Sequence, residues 1–400
     1  MKRIQTGLPV VGGLLLMLMF LCAAAPRTSQ PSSASTAEPG DTFVYVGTYT
    51  GGSGASASKG IYLFKLQTQN LEVSQNITLV PMGLAAETPN PSFLELDVKR
   101  RLVFAVNADP DGKVSSFAAD AAGKLTPINQ VSSKGAGPAH LTLDRTGRFL
   151  LVANYTSGHV AVIPVAADGR LSEATTVIAH TGKSVNAERQ AGPHAHCCTL
   201  DAANRFAFVC DLGIDKVMSY RFDAQSGKLT ANDPPFASVK PGSGPRHLAF
   251  RPDGRFAYLI NELTSTITAF SYDAAAGKLT EIQTVSSLPE YYDGPNSGAE
   301  IGVHPSGKWL YCSNRGNNTV VLFNVDAGKG TLTYVEEQGT GGKTPRHFGI
   351  EPSAKHMVIG NQDSDQLLAC RIDDGNGRLK PSGLFADCPS PTCAQFLPPA

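Results

Sequence analysis

GPRHLAFRPDGRFAYLIN (Gly244–Asn261) runs as a Pro-bounded apolar strand, an Asp-Gly-Arg turn and a second apolar strand ending in Asn. The turn glycine accepts a positive φ, as a tight hairpin requires. The phrase returns as GPAHLTLDRTGRFLLVAN (Gly137–Asn154) and TPRHFGIEPSAKHMVIGN (Thr344–Asn361). Internal repetition at a long, regular period marks a solenoid or a propeller.

The end of the second strand serves as a register mark. It falls at Gly47, Asn107, Asn154, Asp211, Asn261, Asn314 and Asn361, with spacings of 60, 47, 57, 50, 53 and 47 residues. Each unit continues into a third strand, such as His159–Ala166, Thr266–Asp273 or Thr319–Asp326. A short fourth strand follows, opened by Leu125, Leu171, Leu229 or Leu279 after Gly-Arg or Gly-Lys. No 3.6-residue periodicity is present, which excludes an α-solenoid. The pattern predicts an all-β fold over residues 41–400: a seven-bladed β-propeller of four-stranded antiparallel blades. The tail Cys388–Phe396 is expected to supply a strand that locks the first and last blades together. A closed ring leaves few open edges, so a monomer is expected.

Of 400 residues, 42% are hydrophobic and 17% charged, and the formal net charge is +0 with no basic run. Nucleic acid is therefore not an expected partner, because phosphate binding needs clustered Lys and Arg.

Residues 1–24 read as a signal peptide. Lys2 and Arg3 precede an apolar centre, Leu14–Leu21, and the small residues Cys22–Ala25. Pro26 obstructs a cut just before it, which favours cleavage after Ala24. A lipidated Cys22 is the lesser alternative, since Leu21 is larger than the residue usual before a lipidated cysteine; a retained membrane anchor is another. The mature protein is expected to be periplasmic or secreted, without stable membrane insertion. Residues 25–40, rich in Pro, Ser, Thr and Ala, have little to bury and read as a disordered linker. Cys388 and Cys393 are placed to form a bridge in an oxidising compartment. Cys197, Cys198, Cys210, Cys312 and Cys370 lie in apolar strand patterns and read as core.

Reflecting each hairpin about its turn sets Arg246 opposite Asn261, Ala299 opposite Arg315 and Arg346 opposite Asn361. Strand-one starts and strand-two ends then share one rim. Aligned units place Ala139, His196, Arg246, Ala299 and Arg346 at one position. The next holds His140, Cys197, His247, Glu300 and His347. Glu262 aligns with Tyr155, Leu212, Arg315 and Gln362. The scaffold repeats but these rim positions do not, and one asymmetric site needs that divergence.

The motifs GPAH (Gly137–His140), GPHAH (Gly192–His196), GPRH (Gly244–His247), NEL (Asn261–Leu263), SNRG (Ser313–Gly316), TPRHF (Thr344–Phe348) and NQDSD (Asn361–Asp365) resemble the seven-bladed propeller lactonase family. That family contains propeller-type bacterial 6-phosphogluconolactonases and fungal carboxymuconate cyclases. The resemblance spans about residues 42–397, CPSPTC near the end included. It implies a His, a Glu and two Arg at the channel mouth, which fall on His196, Glu262, Arg246 and Arg315. His194 is the next best His. His194, His140, His247 and Arg346 are candidate substrate-binding residues.

Lactone opening needs a base to activate water and a cationic group for the oxyanion. His196 or Glu262 suits the first role; Arg246 and Arg315 suit the second. The implied substrate is a small lactone or anionic sugar acid, although an exported protein does not obviously meet a phosphorylated sugar. Cycloisomerisation by the same groups, or a non-catalytic binding propeller, remain alternatives. Glu262, Arg246 and Arg315 also fit interblade ion pairs. His140, His247 and His347 recur in register, as blade hydrogen-bonding residues would. Asp363 and Asp365 read as a solvated loop rather than a cation site. No cofactor or metal is implied, for the chain has neither zinc-type Cys spacing nor a Gly-rich phosphate loop.

Overall fold

The computed structural model describes residues 42–50, 57–71 and 74–398. The signal segment and linker expected over residues 1–40 lie outside them. The described residues form seven four-stranded antiparallel sheets, as the repeat predicts. In blade one the C-terminal strand Pro391–Leu397 is innermost, paired with Thr42–Thr48. Phe43 faces Leu397 and Val46 faces Ala394, so the two chain ends close the ring. Blades two to seven begin with the inner strands Leu94–Asp97, Pro138–Leu143, Ala195–Leu200, Pro245–Phe250, Ser297–Val303 and Pro345–Ile350.

Second strands such as Phe149–Asn154 and Phe256–Asn261 are buried along their whole length. Their near-continuous apolar runs follow from coverage on both faces by neighbouring blades. One interblade cluster joins Phe206, Phe208 and Cys210 of blade four to Leu248, Leu259 and Phe270 of blade five. The five strand cysteines are buried and free. In blade three the fourth strand begins at Thr176, not Leu171, which makes only an isolated bridge to Val165. The Leu171 amide instead donates to Asn129 Oδ1 of blade two, at 2.9 Å.

Cys388 and Cys393 are not bridged. Cys388 packs with Val44 and Val358 in one core cluster, while Cys393 packs with Leu94 in another. The intervening turn places the two thiols in different layers.

The first hairpins depart from simple reflection, by one residue in blades five and seven and by two in blade six. Pro245 pairs with Asn261 and His247 with Ile260, which leaves Arg246 in a β-bulge. His196 in blade four and Arg346 in blade seven are bulged identically, between Ala195 and Cys197 and between Pro345 and His347. In blade six Ser297, not Ala299, faces Arg315, and Ala299 and Glu300 are the unpaired residues. A bulge re-aims its side chain out of the alternation of the strand. Here that device, at one rim of blades four, five and seven, turns His196, Arg246 and Arg346 toward the channel.

Candidate active site

A cavity of about 270 Å³ opens at this rim, lined among others by Tyr49, Tyr155, Arg189, His196, Glu262, Arg315 and Arg346. Glu262 directly follows the second strand of blade five. Its amide donates to Gly244 O at 2.7 Å and its carbonyl accepts from the Gly298 amide of blade six at 3.0 Å. So anchored, its buried carboxylate meets three guanidinium groups. Arg189 Nη2 donates to Oε1 at 2.7 Å, Arg315 Nη2 lies 3.0 Å from Oε2, and Arg246 Nε lies 3.2 Å from Oε2. Burial alone would raise the Glu262 pKa, but Arg315, Arg246 and Arg189 outweigh it and hold the carboxyl at about 2. Blade six carbonyls hold both groups: Arg246 donates through Nη1 to Ala299 O at 2.5 Å, and Arg315 donates through the same Nη2 to Gly298 O at 3.0 Å. Burial, then the Arg315 and Arg346 charges, press Arg246 down to about 9, which still leaves it cationic at neutral pH.

His196 lines the cavity as a buried imidazole. Burial and the charges of Arg246 and Arg346 hold its pKa well below the usual histidine value, so the ring is neutral. Tyr155 meets it edge-on at 5.4 Å between ring centroids. Arg346 has a different partner: its Nη2 donates to Tyr49 OH at 3.0 Å, and its guanidinium lies 5.2 Å from the centre of that ring. Among the described residues no carboxylate pairs with it.

The other candidates fall elsewhere. His194 stacks on Tyr155 (4.6 Å, 21°) and engages Tyr155 O through Nδ1 at 2.9 Å, supporting the wall rather than lining the cavity. His140, His247 and His347 form a deeper tier around Phe93. Their partners there include Glu300: His247 Nδ1 donates to its Oε1 at 3.0 Å, and His347 Nε2 lies 3.5 Å from its Oε2. Asp363 accepts from Thr344 Oγ1 and Asp365 from the Ser390 amide, so both tie loops together.

The sequence does not mark Arg189 or Tyr49 as site residues, and it marks Tyr155 only as the register equivalent of Glu262. Arg189 comes from the connection between the outer strand Thr176–Ala179 and the inner strand Ala195–Leu200. The long 57-residue spacing between Asn154 and Asp211 was the available signal.

The family described as "Lactonase, 7-bladed beta-propeller" matches residues 43–396. The chain belongs to that family. Over 304 residues it is 36% identical to a Bacillus subtilis protein named 6-phosphogluconolactonase, covering 76% of this chain and 83% of the relative. A Formosa agariphila protein of the same name is 30% identical over 311 residues, covering 76% and 85%. Among solved structures, the Pseudomonas aeruginosa periplasmic gluconolactonase PpgL superposes with a TM-score of 0.82 at 32% identity, covering 90% of this chain and all of that one. A putative 6-phosphogluconolactonase from Bacteroides fragilis gives 0.80 at 34% identity, covering 92% and 100%. In this lactonase-family chain, the motif-matched residues His196, Arg246, Glu262 and Arg315 converge on one cluster.

Proposed function

We propose that this protein is an exported lactonase that opens a sugar lactone by attack of water at the mouth of the propeller channel. One observation carries the reading: a neutral His196 stands beside an arginine cluster held by Glu262, in a cavity of about 270 Å³. That is just below the usual range of ligand pockets, roughly 300–1,000 Å³, and suits a single sugar ring. Family membership and the names of the relatives support the same substrate class.

The two carboxylate and imidazole candidates take different parts. Glu262, with both oxygens engaged by arginine and a pKa of about 2, is a poor proton acceptor; it positions Arg246 and Arg315. His196 is the base. It accepts a proton from water as the water oxygen bonds to the lactone carbonyl carbon. The electron pair of that carbonyl moves onto its oxygen, toward Arg315 and Arg246. When the tetrahedral intermediate collapses, the ring C–O bond breaks. The leaving alkoxide takes the proton back from the imidazolium, giving the hydroxy acid. The Arg charges that depress His196 are the ones an oxyanion neutralises, so its basicity rises as negative charge develops in the transition state.

Export rests on Lys2, Arg3 and the apolar run Leu14–Leu21, and it is in keeping with the periplasmic description of PpgL. N-terminal sequencing of the protein from a periplasmic extract should begin at Ala25; a chain that keeps Met1 overturns export. Activity is tested on glucono-lactone, 6-phosphogluconolactone and carboxymuconate, each against the enzyme-free rate. Sugar-lactone opening should be lost in His196→Asn. No acceleration of either sugar lactone overturns the hydrolase, and turnover of carboxymuconate alone would assign a cycloisomerase.

A further inference from the structure

Beneath the cavity lies a separate void of about 10 Å³, walled by His196, Arg246, His247, Glu300, Ser92, Thr392 and their neighbours. Space of that size holds one water molecule, provided it finds two to four polar partners. The walls supply them. His196 Nδ1, His247 Nε2, Ser92 Oγ and Thr392 Oγ1 are buried without a hydrogen-bond partner among the described residues; Glu300 Oε2 has only a 3.5 Å contact from His347 Nε2, and Arg246 Nε only its ion pair with Glu262. Unpaired buried polar atoms are individually unfavourable, so four around one small void, with Glu300 Oε2 beside them, point to a common ligand.

Proton bookkeeping then narrows the arrangement. Glu300 is ionised: burial disfavours this, but His247, His347 and Arg246 outweigh burial and hold it at about 2. Its Oε2 is therefore an acceptor. His247 donates through Nδ1 to Glu300 Oε1, and its pKa is lowered, chiefly by burial. A neutral ring that donates through Nδ1 presents a lone pair at Nε2. These two acceptors use both protons of a water molecule, so a His196 Nδ1 that bonds the same water does so by donating to its oxygen.

We propose that Glu300 and His247 act through one buried water to hold His196 in its Nδ1–H tautomer, leaving Nε2 as the basic nitrogen that faces the cavity. Glu300 and His247 are thus positioning residues. Glu300 also stabilises the imidazolium that forms during turnover, through the water and without itself taking a proton. The charged and titratable groups around His196 are Arg246, His247, Arg346 and Arg315; those around Glu300 include His247, His347 and Arg246. The proposal rests on His196 as the base, but its tests do not all depend on turnover.

Nitrogen-15 spectra of the mature protein, with His196 assigned through His196→Asn, should show Nδ1 protonated. A crystal structure at atomic resolution should show one water within hydrogen-bonding distance of Glu300 Oε2 and His196 Nδ1. Glu300→Gln keeps the shape but not the charge. It should lower kcat on glucono-lactone about 10- to 100-fold, less than the roughly 10⁴-fold lost when a directly bonded carboxylate is neutralised, with KM within about twofold. An Nε2–H tautomer, a dry void, or an unchanged kcat in Glu300→Gln each overturns the proposal. If the wild-type protein opens no lactone, the lactonase reading fails on its own, while the tautomer and the water still decide the role of Glu300.

Discussion

Arg189 reaches Glu262 across a blade boundary: its Nη2 donates to Oε1 at 2.7 Å and also to Tyr155 OH at 3.1 Å. The first bond completes the cationic enclosure of Glu262. The second ties that enclosure to Tyr155, whose ring stands edge-on to His196. One side chain from outside the repeat therefore couples the arginine cluster to the base.

Arg189→Met should reduce kcat/KM about tenfold or more, in line with a lost hydrogen bond between charged groups, about 1.5–3 kcal/mol. The Arg189 side chain is 42% exposed, so thermal stability should change little. Steady-state kinetics alongside a melting curve check both parts. Full activity in a folded variant would remove Arg189 from the site.

Arg346 is paired with the Tyr49 ring and hydroxyl rather than with a carboxylate, and its charge is available to an anionic substrate group. Arg346→Met should raise KM for 6-phosphogluconolactone far more than for uncharged glucono-lactone, and Arg346→Lys should recover part of the loss. Equal effects on the two substrates would mean that Arg346 serves the reacting carbonyl instead.

The architecture was legible because strand ends recur. Gly47, Asn107 and their equivalents counted seven blades, and the apolar tail closed the ring as expected. The rim was legible to within one residue in blades five and seven and to within two in blade six. Reflection about a turn assumes an unbroken ladder, and the bulges at His196, Arg246 and Arg346 break it without any mark in residue type. Arg189 and Tyr49 lie outside the aligned strands, so no register could place them. The division between an outer tier and a buried His tier depends on packing around Phe93, which the repeat does not encode. Cys388 and Cys393 illustrate the converse: closeness in sequence says nothing about which core layer each thiol enters.

Hairpin glycines between third and fourth strands hold the blades together as well as turning the chain. A Cβ on Gly277 (φ +64°) would collide with Cδ1 of Phe206 in the preceding blade; Gly330 stands against Phe256, and Gly377 against Trp309, in the same way. Gly277→Ala should cost about 2–4 kcal/mol, from the left-handed backbone together with overpacking. Denaturant unfolding should show this as a lower midpoint with an unchanged slope. A loss below about 1 kcal/mol would mean that the blade contact yields easily.

Glu262 also sets an acid limit on stability. Its carboxyl titrates at about 2 in the folded protein against an ordinary value of 4.5. A depressed folded-state pKa stabilises the protein above the unfolded value, and that contribution is lost as pH falls from about 4.5 toward 2. The full contribution is on the order of 3 kcal/mol. Glu300, also held at about 2, acts in the same sense. Glu262→Gln should therefore be less stable than wild type at pH 7, because Arg246 and Arg315 stay buried without their counter-charge, a loss of about 3–5 kcal/mol. It should also lose less stability between pH 4.5 and 2, because that titration is gone. Chemical denaturation at closely spaced pH values measures both. Parallel acid limbs in wild type and Glu262→Gln would show that the carboxylate is not the titrating group.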